Sequence, residues 1–258
     1  MKAVILAGGL GTRLAEKTSD KPKPMVEIGG MPIIWHIMKT FEYHGITDFL
    51  ICCGYKGHQI KEFFASYNTR YSNVSFDLLS SGVTMLSAPK ENWTVTCIDT
   101  GEKTMTGGRL KRVQDYLTPN EPFMFTYGDG VGDIDITELI KFHKSNNKLA
   151  TVTAVSPPGR FGVLSIDKNT FNVTGFNEKP DSGNVWINGG YFVLEPEVLS
   201  YIEHDLESWE EAPIQKITAE NQLSAFQHPG FWQPMDTLAE KKYLDELLQS
   251  NKAPWKKW

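Results

Sequence analysis

Short apolar runs alternate with amphipathic stretches through the first half of the chain. The apolar, β-prone runs, each predicting a buried strand, are residues 2–7, 46–53 and 123–127. The stretches with apolar residues at helical spacing, each predicting a helix, are residues 32–44, 58–67 and 109–117. Pro32 is expected at the first helical position and Gly45 just beyond the last turn. Alternating strands and helices predict an α/β fold, a mostly parallel sheet with helices on both faces.

The pattern changes after residue 150, where shorter strands dominate. The predicted strands are residues 151–155, 161–166, 171–176 and 185–194, and the predicted helices are residues 196–202, 213–220 and 237–249. No linker or repeat separates the halves, so we expect one domain over residues 1–258, the part from about 151 adding mixed strands that wall a cleft. The Trp-rich tail, residues 253–258, is expected to pack on the body or to mediate a subunit contact.

Composition excludes several classes of protein. The chain has 258 residues, 40% of them apolar, and a net charge of -5 with no Lys/Arg run, which argues against a nucleic-acid partner. Cys52, Cys53 and Cys97 form an odd, sparse set without zinc-ligand spacing, so reduced thiols are expected. No run is long enough to cross a membrane and no leader pattern precedes the first strand. A cytoplasmic protein with no membrane partner is therefore expected.

A glycine-rich loop, AGGLGTRL at residues 7–14, follows the first predicted strand. A dinucleotide fingerprint would need a third glycine where Leu14 stands, and no P-loop string is present. Two interpretations are left, a plain strand-to-helix turn and a loop whose backbone N–H groups surround a nucleoside triphosphate, with Arg13 adding a permanent charge. Thr12 and Arg13 favour the second, because a turn does not need a guanidinium. The segment KPKPM, residues 21–25, then holds Lys23 between two prolines on a stiff backbone, a good position for a phosphate ligand.

Together, GGxGTRL and PKPM resemble the signature of the sugar-1-phosphate nucleotidylyltransferases, and the resemblance extends over essentially the whole chain. It implies a Rossmann-like, mixed, mostly parallel sheet with a nucleotide-binding first half, a smaller sugar-binding β subregion from the second half and a Mg²⁺ cofactor. The nucleotide-binding positions it implies are Leu6, Ala7, Gly8, Gly9, Leu10, Gly11, Thr12, Arg13, Lys23, Thr104, Arg109 and Gly128.

The same resemblance assigns the sugar phosphate and the metal. The implied sugar-phosphate residues are Glu178 and Lys179 of FNEKP and Asn188 and Gly189 of INGGYF. The implied Mg²⁺ ligands are Asp129 of YGDG and Asp236 of FWQPMDT, and the implied catalytic residues are Arg13, Lys23 and Lys179. By themselves, Asp129 would also suit a turn and Asp236 the cap of the last helix.

Other segments resemble one branch of that family, which uses CTP and glucose 1-phosphate. They are RLAEKT, TMTGGRLKR, NWTVTCIDTG, PPGRFG and HPGFWQPMDT. The resemblance implies CDP-glucose as product, supply of CDP-linked deoxysugars for a surface polysaccharide (O-antigen), and a homo-oligomer. The sugar phosphate needs no general base, because a phosphate monoester with a second pKa near ~6 is already largely dianionic. UTP or dTTP in place of CTP, and a non-catalytic nucleotide-sugar sensor, remain alternatives.

Two groups of side chains have simpler interpretations. Asp133 and Asp135 are expected at the solvated start of a helix. Trp35, Phe41 and Tyr43 are expected to face the core from the helix at 32–44.

Overall fold

The structure is a computed structural model, and it describes residues 1–11, 20–88, 90–156, 163–166, 170, 172–177 and 185–258. Its strands are β1 (Ala3–Ala7), β2 (Glu27–Ile28), β3 (Met31–Pro32), β4 (Asp48–Cys53), β5 (Val74–Asp77), β6 (Gly82–Met85), β7 (Thr94–Asp99), β8 (Phe123–Tyr127), β9 (Gly130–Gly132), β10 (Ala150–Val155), β11 (Val163–Ile166), β12 (Val173–Asn177), β13 (Ile187–Leu194), β14 (Leu223–His228) and β15 (Trp232–Pro234). Its α-helices are α1 (Ile33–Tyr43), α2 (Gly57–Ala65), α3 (Tyr67–Tyr71), α4 (Thr106–Lys111), α5 (Ile136–Asn146), α6 (Ala212–Ala219) and α7 (Leu238–Gln249). Short 3₁₀ turns lie at Lys23–Met25, Gln114–Tyr116 and Pro196–Tyr201.

Seven strands form the central sheet, in the order β14-β10-β13-β8-β1-β4-β7. The pairs β1–β4, β1–β8, β4–β7 and β10–β14 are parallel, whereas β13 is antiparallel to both β10 and β8. The sheet is therefore mixed and mostly parallel, as the sequence predicts. Strands from both halves of the chain share it, so elements of the second half lie beside the first-half strands that end at the glycine loop.

The sheet separates two hydrophobic cores. Along β1 every residue is buried, and successive side chains alternate, with Ile5 in one core and Val4 in the other. Helix α1 packs into the first core, and Leu110 of α4 and Ile217 of α6 pack into the second. Helices thus cover both faces of the sheet. None of the helices in the described parts of the chain is long and apolar enough to cross a membrane.

Several local predictions need correction. Pro32 lies at the N-cap of α1 and not at its first helical position, while Gly45 follows the helix with the expected positive φ of +81°. Tyr43 is 55% exposed, because it is the last residue of α1 and points away from the buried stripe that contains Phe41. The helix expected at 58–67 is the pair α2 and α3, and the one expected at 109–117 is α4 followed by a 3₁₀ turn.

Two further sequence interpretations concern charge and the C-terminus. Asp135 caps α5 by accepting a hydrogen bond from the Glu138 backbone N–H at 3.0 Å. Asp133 lies outside that helix and pairs with His228 at 2.9 Å, so its assignment to the helix start was wrong.

In the tail, Trp255 is buried and stacks on Phe231, with ring centroids 5.5 Å apart. The tail therefore packs on the body.

His36 of α1 is a buried, neutral imidazole that ties this tail to the core. Its Nε2 lies 2.9 Å from the Ile28 carbonyl oxygen, and the Trp255 indole N–H donates to its Nδ1 at 3.5 Å. Indole nitrogen only donates, so Nδ1 accepts and Nε2 carries the hydrogen. Burial lowers the pKa of His36 to about 4, because the charged form loses its hydration.

We expect this histidine to make the fold acid-sensitive. Its folded-state pKa lies below the ordinary value of 6.5, so its stabilising contribution is complete above pH 6.5 and is lost as the pH falls toward 4. Between pH 7.5 and pH 5 the loss is about 2 kcal/mol of unfolding free energy. We expect the His36→Gln variant to lose about 2 kcal/mol less unfolding free energy than the wild type between these two pH values, as measured by urea unfolding. The exposed His204, changed to Gln, serves as the control, and equal pH dependence in both variants would contradict the assignment.

Candidate active site

A cleft of about 470 Å³ opens at the carboxyl ends of β1 and β8. Ligands of open α/β sheets bind at this edge of the parallel strands. The residues that line the cleft are Leu6, Ala7, Gly8, Gly9, Leu10, Gly11, Lys23, Pro24, Glu102, Lys103, Thr104, Met105, Thr106, Arg109, Tyr127, Gly128 and Asp129. Most of the expected nucleotide-binding positions are therefore brought together around one cavity, whereas Thr12 and Arg13 lie outside the described residues.

Two glycines of the cleft are required by close approach of other groups. A Cβ on Gly8 would lie 2.1 Å from Nη1 of Arg109, and one on Gly128 would lie 2.6 Å from the Leu6 carbonyl oxygen. The Gly128 N–H also donates to that carbonyl at 2.9 Å. Neither position has room for a side chain, so the backbone itself forms the wall of the cleft there.

Arg109 lies under the glycine loop and supports it. Its guanidinium donates to the carbonyl oxygens of Gly8 at 3.0 Å, Gly101 at 2.7 Å and Glu102 at 3.1 Å. It also donates to the Thr100 hydroxyl at 2.8 Å and, at 3.3 Å, to the Cys53 carbonyl oxygen. Burial lowers the pKa of Arg109, yet an arginine in a protein stays charged. The residue joins the ends of β1, β4 and β7 around the cleft.

Lys23 bridges two carboxylates at the mouth of the cleft. It begins the 3₁₀ turn after Pro22 and is buried. Its Nζ donates to Asp129 Oδ2 at 2.6 Å and to Asp236 Oδ1 at 2.5 Å. Both carboxylates expected to hold a metal therefore converge on one cationic group.

A small two-stranded sheet brings those carboxylates together. Asp129 stands between β8 and β9, and β9 pairs antiparallel with β15, Gly130 opposite Pro234. The Met235 N–H then donates to the Asp129 carbonyl oxygen at 2.8 Å, which places Asp236 beside Asp129. The cap of α7 is Thr237, in a capping box with Glu240, so the alternative of Asp236 as the cap is wrong.

The donors at this point fit a Mg²⁺ ion. Asp129 and Asp236 offer hard carboxylate oxygens, and the Lys23 ammonium shows that one cation fits between them. Among the residues that the structure describes, no cluster of three or more His, Cys, Asp or Glu could hold a metal. Two carboxylates suit Mg²⁺, which usually keeps waters and takes the remaining ligands from substrate phosphates.

We expect Lys23 to compete with divalent cations for these two carboxylates when no nucleotide is bound. In Lys23→Met the two carboxylates face each other without the ammonium, so their mutual repulsion favours a divalent ion. We expect Mn²⁺ to bind this variant at least about tenfold more tightly, as measured by the free-Mn²⁺ signal in electron paramagnetic resonance. Lys21→Met, which removes an exposed lysine paired with Glu27, is the control. Equal Mn²⁺ affinity in the wild type and in Lys23→Met would contradict the competition.

The sugar-phosphate residues are only partly described. Asn188 lies on β13, which pairs with β8, and its Oδ1 accepts from the Gly190 N–H at 2.7 Å. Its Nδ2 lies 3.5 Å from the Tyr127 hydroxyl. Gly189 packs closely, since a Cβ there would lie 2.6 Å from Val155. Glu178 and Lys179 lie outside the described residues.

The sequence interpretation missed a polar chain on the far wall of the cleft. The Tyr127 hydroxyl donates to Glu210, which also accepts from the Thr106 hydroxyl at 2.6 Å. Burial, and then the negative charge of Glu210, raise the pKa of Tyr127. Tyr127 opens the YGDG motif and could have been singled out by it, whereas nothing in the sequence around Glu210 indicates its position.

The sequence pattern of the nucleotidyl transferase family matches residues 2–237 of this chain. The chain belongs to the nucleotidyl transferase family. It is 55% identical to a glucose-1-phosphate cytidylyltransferase of Salmonella typhi and 39% identical to a probable glucose-1-phosphate cytidylyltransferase of Bacillus subtilis, each over the full length of both chains. The crystal structure of HddC from Yersinia pseudotuberculosis superposes with a TM-score of 0.69 at 26% identity, over 96% of this chain and 99% of that one.

The family is thus the one that the glycine loop and the PKPM segment indicate, and this transferase is an enzyme with the Rossmann-like sheet of its structural neighbours.

Proposed function

We propose that this transferase moves CMP from CTP to α-D-glucose 1-phosphate and releases CDP-glucose and pyrophosphate. The observation that carries the proposal is the 55% identity, over the whole of both chains, with the Salmonella typhi glucose-1-phosphate cytidylyltransferase. The geometry of the cleft supports it, because a glycine loop, a lysine and two carboxylates converge where a nucleoside triphosphate would need them.

In this proposal the cytidine and ribose lie against the loop of residues 6–11, where backbone groups are accessible at the glycines. Thr104, Arg109 and Gly128 form the surrounding wall, and Arg109 acts by holding the Gly8 carbonyl in place. The triphosphate extends toward Lys23, whose ammonium is available to phosphate oxygens once it leaves the carboxylates. Arg13 supplies a second positive charge on the same phosphates.

The chemistry is an attack by an oxygen of the sugar phosphate on the α-phosphorus of CTP, with pyrophosphate leaving in line. The obstacle is electrostatic, since two anions must meet while negative charge builds on the leaving group. Lys23 and Arg13 reduce that repulsion at the triphosphate, and Lys179 holds the incoming phosphate. Mg²⁺, bound by Asp129 and Asp236, would supply further neutralisation of phosphate charge.

The sugar is held from the β13 side of the cleft. The Asn188 Oδ1 is engaged by the Gly190 N–H, which fixes the amide so that its Nδ2 faces the Tyr127 hydroxyl and the cleft. A glucose hydroxyl there would accept from that amide, next to Gly189, which packs against Val155 and leaves no side chain in the way. Glu178 completes the sugar site.

The test is pyrophosphate release with glucose 1-phosphate and Mg²⁺, run separately with CTP, UTP, dTTP, ATP and GTP. We expect CTP to give the highest kcat/KM. A preference for UTP or dTTP would overturn the base specificity and retain the reaction class. Tight nucleotide binding without turnover would favour the alternative of a nucleotide-sugar sensor.

The product also suggests a cellular role, which we propose on the same basis. CDP-glucose made in the cytoplasm would supply CDP-linked deoxysugars for the O-antigen of a surface polysaccharide. Detection of CDP-glucose in cells with the gene, and its loss without it, would test this role.

A further inference from the structure

The polar network on the far wall of the cleft has a definite direction for each of its hydrogens. Glu210 accepts from the Tyr127 hydroxyl through Oε1 and from the Thr106 hydroxyl through Oε2. The Thr106 oxygen in turn accepts from the Trp209 backbone N–H at 2.9 Å. An ionised carboxylate only accepts, so both hydroxyl hydrogens point at Glu210.

Two adjacent glycines allow this carboxylate to reach the cleft. The chain segment that leads to it lies along the start of α4, where the Gly107 N–H donates to the Glu207 carbonyl oxygen at 3.0 Å. A Cβ on Gly107 would lie 2.8 Å from that oxygen. A Cβ on Gly108 would lie 2.4 Å from the Asp205 carbonyl oxygen. The two glycines are therefore needed for the close approach of the segment to α4.

The Tyr127 ring is fixed by packing. It contacts the rings of Phe125 and Phe192, whose centroids lie 5.6 and 6.4 Å away. Gly190 of β13 lies against it, since a Cβ at that glycine would lie 2.8 Å from the ring atom Cδ2. A ring held in this way places its oxygen at a defined point of the cleft wall, as the recognition of a single substrate group requires.

The Tyr127 oxygen can act only as an acceptor toward any further group, because its hydrogen is directed at Glu210. Burial, and then the negative charge of Glu210, raise the pKa of Tyr127, so the phenol keeps that hydrogen. Asn188 Nδ2 lies 3.5 Å from the Tyr127 oxygen, which is longer than the usual N–H···O distance of about 2.7–3.2 Å. The oxygen is therefore available to a closer donor in the cleft.

Asn188 and Tyr127 together offer one donor and one acceptor to the same point. The Asn188 Oδ1 accepts from the Gly190 N–H, so the amide presents its Nδ2 hydrogens on the Tyr127 side. A hydroxyl group at this point would accept from the amide and donate to the phenol oxygen. A hydroxyl can do both, whereas a fluorine can only accept and a hydrogen on carbon does neither. A site built from such a pair rejects analogues that lack the hydroxyl.

We propose that Tyr127 recognises one hydroxyl group of the sugar by accepting its hydrogen, and that Glu210 is the positioning residue that keeps Tyr127 an acceptor. The inference rests on the proposed reaction, in which glucose 1-phosphate is held from the β13 side of the cleft. The negative charge of Glu210 agrees with it, because a carboxylate beside the phenol repels a phosphate. A hydroxyl of the sugar, and not its phosphate, is therefore the group expected to lie against Tyr127.

The experiment measures kcat/KM for pyrophosphate release with glucose 1-phosphate and with its deoxy and fluoro analogues at carbons 2, 3, 4 and 6. At one of these positions we expect the wild type to prefer the hydroxyl over both replacements by at least about tenfold. Tyr127→Phe is expected to reduce the preference over the fluoro analogue at that position to within about threefold. Its kcat/KM should therefore fall far more for glucose 1-phosphate than for the analogue.

Glu210→Gln tests the positioning role. The amide keeps the size of the side chain but loses the charge, and its N–H₂ group can donate to the Tyr127 oxygen, so the same preference should fall by at least about threefold. Two controls should keep the wild-type preference. Tyr201→Phe removes another tyrosine hydroxyl that donates to a glutamate, Glu220, on the surface. Glu211→Gln removes the next carboxylate along the chain, which makes no side-chain cap to its helix.

Several results would overturn the inference. One is a wild type that uses every fluoro analogue as well as glucose 1-phosphate, and another is a Tyr127→Phe loss that is equal for all the sugar phosphates, as a purely structural role predicts. A loss of preference for CTP over its 2′-deoxy or 3′-deoxy analogue would assign the hydroxyl to the ribose instead. An unchanged preference in Glu210→Gln would refute the positioning role. A wild type that turns over no glucose 1-phosphate with any nucleotide would refute the proposed function, and this inference with it.

Discussion

Replacing Asp129 with asparagine is expected to lower kcat for pyrophosphate release by about 10³-fold. The substitution keeps the size of the side chain and removes the negative charge that faces Lys23 and Asp236. In the proposed mechanism that charge would help to hold Mg²⁺ beside the phosphates, so its loss acts on the transition state, in which negative charge builds on the leaving pyrophosphate. Steady-state kinetics with CTP, glucose 1-phosphate and a series of Mg²⁺ concentrations would measure it.

The matched control is Asp135→Asn, six residues further along the chain. Asp135 caps α5, and asparagine is an equally good helix cap, so this variant loses a carboxylate charge while it keeps the cap. Its kcat is expected to stay within about twofold of the wild type. An Asp129→Asn enzyme with kcat within tenfold of the wild type would contradict the metal assignment.

Arg109→Met is expected to destabilise the fold strongly. Methionine fills much of the same volume but removes the guanidinium donors from the carbonyl oxygens of Gly101 and Glu102, and leaves that of Gly8 with only the Tyr55 N–H at 3.2 Å. Buried acceptors without a partner cost about 1–3 kcal/mol each. We expect the free energy of unfolding to fall by at least about 3 kcal/mol, measured by urea denaturation.

Arg112→Met is the control for this prediction, because it makes the same arginine-to-methionine substitution one helical turn further along the chain. Arg112 is partly exposed and pairs with Asp205 on the surface, and such pairs contribute little. Its substitution should cost no more than about 1 kcal/mol. If both arginine variants lost the same stability, the loop-supporting role of Arg109 would be wrong.

The central strands could be predicted from the sequence because burial on both faces makes them continuously apolar. β1, β4 and β8 all appear as such runs, and the glycine loop then follows β1 at the ligand-binding edge. The shorter strands β9 and β15 could not be predicted, because each has only three residues and contains Gly or Pro, which is too short for an alternation of apolar and polar residues to be recognised. Yet it is their pairing that brings Asp129 and Asp236 together.

Arg109 and the hairpin of β5 and β6 show a second limit of sequence reasoning. A lysine or arginine on a short helix usually lies in solvent. Nothing in the segment TGGRLK indicates that the Arg109 guanidinium is buried under the glycine loop that follows β1. The hairpin has four-residue strands whose polar positions interrupt the apolar ones, so its amphipathic face emerges only from the register of Phe76 with Val83. In both cases tertiary contacts, which local patterns do not encode, determine the outcome.

The most direct test of the proposed reaction follows oxygen atoms. Glucose 1-phosphate labelled with ¹⁸O in all non-bridging phosphate oxygens is incubated with unlabelled CTP, Mg²⁺ and the enzyme. The masses of CDP-glucose and pyrophosphate are then measured by mass spectrometry. If a sugar-phosphate oxygen attacks the α-phosphorus, CDP-glucose retains every labelled oxygen and the pyrophosphate contains none. Label in the pyrophosphate, or the absence of CDP-glucose, would contradict the transfer of CMP to the sugar phosphate.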